Sequence, residues 1–387
     1  MIRNWAVGLA GVGLLCLGFA CGSSDDGGAQ GAAGAGGADA GSDAPKAGTG
    51  GGDSGTPDGL TPDTEGDGAA APDAPGKDAN TDTVDAKPAG ECFPLVDPPA
   101  LTVDNYPWVD GSTSTQPLDM VIACELLGVP WVWATNSDYT RFVTPDPKTP
   151  QQQVIAQHLL SDIVHNTTDP AFVNLINGTK DLIFVASKPS TDDLALAAAA
   201  GVTLEYKSIA LDALIFLLNA QNPVDALTTN QILQIYQGTT TDWSAVGGTA
   251  GEIHPYVRPE NSGSQELMKE LVIKDTPMPP WPEAMKIATM FGLVDTIKDD
   301  ALAIGYTVYY FWTYQYPSTG TKTIAVDGVE PTYDTIRART YPYASDVYAI
   351  IRTDLAQDSL ARKLRDWLLT PSGQCVIGKT GYVPLPQ

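Results

Sequence analysis

The sequence predicts an α/β protein of two lobes, carried behind a long polar N-terminal stretch. Three observations predict it. From about residue 100 onward, short apolar runs that read as buried strands alternate with stretches that read as helices. Residues 91–387 have ordinary globular composition, and a region that long outgrows a single core. Residues 21–90 hold mostly Gly, Ala, Asp, Thr, Ser and Pro, with almost no large apolar side chain.

Residues 1–20 read as a targeting segment. Arg3 gives a positive start, residues 5–19 are apolar and uncharged, and the run is short for a membrane span. Residues 21–90 cannot bury enough apolar surface to offset chain entropy and are expected to stay disordered. As a flexible coil their mean reach is roughly 40–50 Å.

Gly111, Ser112, Thr113, Ser114 and Thr115 lead into a helix over 118–127. Hydroxyl and N–H donors at a helix start suit an anion; the same residues also suit a plain Ser/Thr cap. Residues 131–150 read as a loop-rich passage. A short helix over 170–176 ends at the Asn177-Gly178 turn. Asp181 then opens the apolar run 182–186, read as a buried parallel strand. An alanine-rich helix over 192–200 ends at Gly201, a strand covers 202–206, and 209–219 is a long apolar run broken only by Asp212. Thr228 is placed to cap a helix over 229–236.

Residues 253–272 form the centre of the functional reading. A strand over 253–257 is followed by Arg258, a turn at 259–261, and Ser262-Gly263-Ser264. A helix over 265–272 follows, with Ser262 as N-cap and Gln265 in the capping-box position. Two hydroxyls, a glycine and a guanidinium at a helix start make an oxyanion cradle; an ordinary capped helix after a strand has the same residue types. Beyond it come a proline-rich loop (277–282), a helix over 283–291, a tyrosine-rich strand near 304–310, a strand over 347–351 and a helix over 360–369.

Acids outnumber bases 46 to 22, a net charge of −24, which argues against nucleic acid and against docking on anionic lipid. His158, His165 and His254 have no metal-ligand spacing, so neither metal nor cofactor is expected. Beyond Cys21, an exported chain with Cys92, Cys124 and Cys375 allows one disulfide and one thiol, and the pairing stays open.

Arg258-x-x-x-Ser262-Gly263-Ser264 resembles the Arg-x-x-x-Ser-Gly-Thr signature of the phosphate-binding proteins of ABC importers, with serine keeping the threonine's hydroxyl. NPVDALTTNQILQIYQG (222–238) and TDWSAVGG (241–248) resemble that family's second lobe, and Ile304-Gly305-Tyr306 its "IGY" strand. Residues 209–219 and 341–351 resemble its two crossing strands. The resemblance spans residues 100–387. It implies a two-lobed type II periplasmic-binding-protein-like fold, with lobe one at about 91–212 and 345–387 and lobe two at about 213–344. It further implies inorganic phosphate as ligand and an ABC transporter permease as partner. Arg258 would be the charge partner, with Ser262, Gly263 and Ser264 donating from lobe two and Ser112, Thr113 and Ser114 from lobe one. Asp181 would accept the ligand's own proton, which favours phosphate over sulfate.

Gly18-Phe19-Ala20-Cys21 resembles a lipobox, which implies lipidation of Cys21 and anchorage on the extracytoplasmic side of a membrane. The expected protein is a monomeric solute-binding lipoprotein, not an enzyme, with no nucleic-acid partner. A surface adhesin or sensor on the same scaffold is the alternative that the acidic tether and the aromatic-rich second lobe motivate. A phosphate-ester hydrolase using Ser262 or Ser264 lacks a histidine nearby in sequence to serve as base.

Overall fold

The computed structural model describes residues 92–276 and 278–386. The expected targeting segment, Cys21 and the tether lie outside the described residues.

β1 (Val109–Gly111) passes through a 3-10 turn at Thr113–Thr115 into α1 (Gln116–Leu127), in which every residue from Pro117 to Cys124 is buried. A helix apolar nearly all round belongs inside a core. β2 (Trp131–Thr135) and β3 (Arg141–Pro145) form an antiparallel hairpin where a loop-rich passage was expected. No residue of β2 is fully buried, so its sequence shows no inside–outside alternation to betray it. α2 (Pro150–Asp162), capped by Thr149, was also not anticipated.

α3 (Thr168–Ile176) precedes β4 (Leu182–Val185), which is buried throughout and pairs parallel with β1. α4 (Thr191–Ala199) starts with a reciprocal Ser190–Asp193 capping box. β5 (Leu204–Asn219) merges the two expected strands into one of 16 residues. β6 (Ala226–Leu227) leads to α5 (Thr229–Tyr236), capped by Thr228 with Gln231 returning the bond.

β7 (His254–Pro255) is all that forms of the strand expected over 253–257. α6 (Gly263–Leu267) runs on as π-helical turns at Met268–Ile273. α7 (Met290–Asp299), capped by Thr289, lies later than the helix expected over 283–291, where only a 3-10 turn (Glu283–Met285) forms. β8 (Ala303–Val308), β9 (Thr321–Thr323), β10 (Ala325–Val326), α8 (Tyr333–Arg337) and β11 (Ala344–Arg352) follow. α9 (Leu360–Trp367), α10 (Pro371–Lys379) and β12 (Val383–Pro384) close the chain.

The main sheet has the order β1-β4-β11-β5-β8-β7, with β9 and β12 also on β5. β5 joins two cores. Residues 204–213 pair with β11, residues 214–218 with β8. At the changeover Leu214 N donates to Tyr343 O, where the chain crosses back. On one side Leu118, Phe184, Ile209, Val347 and Leu364 pack together; on the other Phe216, Ile232, Trp243, Ile304 and Tyr306 do. This is a mixed α/β architecture with two crossing segments, as the sequence predicts.

A disulfide joins Cys92 to Cys375 on α10, 283 residues apart. In the chain-entropy account, closing a loop that long stabilises the fold by about 5 kcal/mol. Cys124 stays a buried thiol, and burial pushes it up to about 12, so it is poorly reactive.

Candidate functional site

A cleft of about 450 Å³ lies beyond the carboxyl ends of β1, β4 and β8, between the two cores. That is where open α/β sheets place ligands. Seven of the eight ligand residues nominated from sequence line it: Ser112, Thr113, Ser114, Arg258, Ser262, Gly263 and Ser264.

Arg258 follows β7 and is 7% exposed. Its backbone N–H donates to the Tyr306 hydroxyl (3.0 Å). Its Nε donates to Ser264 Oγ (3.3 Å) and its Nη1 to Ile287 O (2.6 Å). Among the described residues no carboxylate forms an ion pair with it. Burial accordingly pushes the guanidinium down to about 10. A desolvated cation without a counter-ion is costly and selects for an anion.

Other hydroxyls line the same cleft. Ser112 Oγ lies 3.2 Å from both Ser114 Oγ and Thr115 Oγ1. Gly111 lets β1 end close against β4, since a Cβ would stand 2.5 Å from Phe184 O. Ser262 occupies the N-cap position of α6, yet its side chain makes no capping bond, and its buried Oγ has no hydrogen-bond partner among the described residues. Gln265 does not close the expected capping box. It accepts instead from the Tyr306 hydroxyl, which wins because both groups are buried and need partners.

Asp181 is a correction. It is not among the residues lining the cleft. Its carboxylate accepts from Trp108 N (3.1 Å), and its own N–H donates to Trp108 O (2.8 Å), pinning the β1 edge. It sits at the start of β4, whereas Ala186, just past the strand's end, lines the cleft. Five residues of strand separate them by roughly 16 Å.

Sequence reasoning missed Thr167, Thr168 and Asp169, which line the cleft at the start of α3, and Ser187, whose buried Oγ has no partner. Asp110, wholly buried, fixes this region. It accepts from Asn166 N, Asn166 Nδ2 and Asn174 Nδ2, each at 2.8 Å. Thr167 and Asn261 hold left-handed backbone (φ 71° and 64°), strain of the kind that gathers at binding sites. The available signal was the position itself: a Thr-Thr-Asp-Pro helix start, and the residues directly after a buried strand.

The cores meet across the cleft. Lys188 pairs with Glu270, and Asn261 Nδ2 donates to Asp192 Oδ2 (3.0 Å). Gly263 sits where a Cβ would stand 2.6 Å from Thr168 Oγ1 and 3.3 Å from Ser187 Oγ.

Residues 156–372 match the family model of a PBP superfamily domain. No curated protein sequence matches the chain. Among solved structures, the chain is similar to a phosphate ABC transporter substrate-binding protein of Clostridium perfringens, described with bound phosphate. The two share 19% identity at a TM-score of 0.51, over 72% of this chain and 98% of that one. It is also similar to an ABC-type phosphate transport receptor of Vibrio cholerae, with 21% identity at a TM-score of 0.50, over 72% of this chain and 99% of that one. At such identities the likeness is one of fold.

Proposed function

The chain belongs to the PBP superfamily, and on that premise we propose that it captures inorganic phosphate between two lobes and hands it to an ABC-type permease. One observation carries the reading: Arg258 is buried in the cleft, and among the described residues no carboxylate forms an ion pair with it. Ser112, Thr113 and Ser114 from lobe one, with Ser262, Gly263 and Ser264 from lobe two, supply hydroxyl and amide donors around that charge. Asp169 takes the part first expected of Asp181, as a cleft carboxylate able to accept the ligand's proton. Glu260 also lines the cleft but is held by Lys269.

Lobe one comprises about residues 91–212 and 345–387, and lobe two about 213–344. Closure is a hinge motion at the two crossings. His165 lines the cleft too. The lipobox-like Cys21 and the acidic tether make the protein a monomeric lipoprotein held off the extracytoplasmic face of a membrane.

Thermal melting tests the reading. Millimolar phosphate should raise the Tm of the wild type by several degrees, and sulfate should raise it far less. An equal shift with both anions would refute the carboxylate's part; no shift with either would refute the ligand.

A further inference from the structure

The cleft is far larger than a phosphate ion needs. A volume of about 450 Å³ is that of a site for an organic ligand. It also continues into a second compartment of about 320 Å³, with which it shares Thr113, His165 and Phe291 as common walls. Gln116, Asn136, Asp138, Arg141 and Gln315 are among its other lining residues. The hairpin of β2 and β3, unexpected from sequence, brings in three of these.

We infer that the protein binds hydroxylated phosphate monoesters, sugar or polyol phosphates, with the phosphate at Arg258 and the organic part between the hairpin and Gln315. This rests on the phosphate reading of the cleft. Gln315 is 3% exposed, and its Nε2 donates to Thr113 O (3.0 Å). That carbonyl fixes which end of the amide is nitrogen, so Oε1 is the other end, and it is buried without a partner among the described residues. Gln116 Oε1 is buried and unpartnered as well. Two orphan carbonyl oxygens require donors, and each left unmet is costly. The Asp138 carboxylate adds further acceptor capacity. A second phosphate or carboxylate on the ligand offers no donor and would meet this carboxylate. Hydroxyl groups meet all three acceptors and still accept from Arg141, whose guanidinium lies 5.0 Å from the Trp133 ring centre and forms no ion pair among the described residues. Phe291, the shared wall, gives an apolar face suited to C–H bonds.

Titration calorimetry with inorganic phosphate, glycerol 3-phosphate and glucose 6-phosphate tests this. At least one ester should bind about tenfold or more tightly than inorganic phosphate. In Gln315→Leu and in Arg141→Ala the ratio of ester to phosphate affinity should collapse toward one. Phosphate binding as tightly as both esters, or more tightly, would overturn the inference and leave the phosphate reading standing. An ester preference unchanged in both variants would overturn it too. Failure of all three probes with the wild type would remove the phosphate reading itself.

Discussion

A guanidinium taken out of water with no carboxylate beside it costs several kcal/mol unless something anionic arrives. Arg258 is in that position, and its surroundings hold it there. Tyr306 grips its backbone, Ile287 O takes one N–H, and Ser264 another. Gly263 makes the complementary demand of space. Lobe one presses on it through Thr168, a β-branched side chain with little freedom to turn aside. Gly263→Ala should therefore hold the lobes apart, weakening phosphate binding by tenfold or more, about 1.4 kcal/mol, with little change in the Tm of the unliganded protein. Equilibrium dialysis of the variant checks this; unchanged affinity would show that the contact at Gly263 is not part of closure. The residues of this motif were legible in the sequence because their chemistry is local. Asp169 was not, because its place in the cleft depends on where tertiary packing sets the start of α3.

Among the elements, β5 does most of the organising, and Asp212 sits where it passes from one partner strand to the other. Its Oδ1 accepts from Ala213 N (2.8 Å) and Tyr310 N (3.0 Å), while Oδ2 is buried without a partner among the described residues. Burial pushes the carboxyl up to about 7. Since the unfolded value is near 3.9, the folded protein holds a proton that the unfolded chain releases between these values. The contribution of Asp212 to stability therefore falls as pH rises from about 4 to about 7, by roughly 4 kcal/mol at most. Asp212→Asn keeps the accepting oxygen and cannot ionise. It should unfold at higher urea than the wild type at pH 8 and show a flatter dependence on pH; lower stability at pH 8 would contradict this. The long apolar run announced β5, and a hydroxyl announced the cap of α5. The β2–β3 hairpin stayed hidden because neither face of β2 is fully buried, and the π-helical turns after α6 look like any amphipathic helix in sequence.

For the molecule as a whole, two cores joined by two crossings explain how a chain with net charge −24 accommodates an anion. The global field opposes approach, so selectivity must come from the closed cleft, where low dielectric strengthens each charge-assisted bond. The two-lobed plan was legible in the alternation of elements and the length of residues 91–387. The disulfide partner was not, because Cys92 and Cys375 meet only after the chain has folded back upon lobe one. The most direct test of the central claim is calorimetric titration of wild type and Arg258→Ala with inorganic phosphate. The wild type should give one saturable site of micromolar affinity or tighter. The variant should lose about 2–5 kcal/mol, enough to abolish measurable heat. Equal affinity in the two proteins, or no heat with the wild type, would contradict the account.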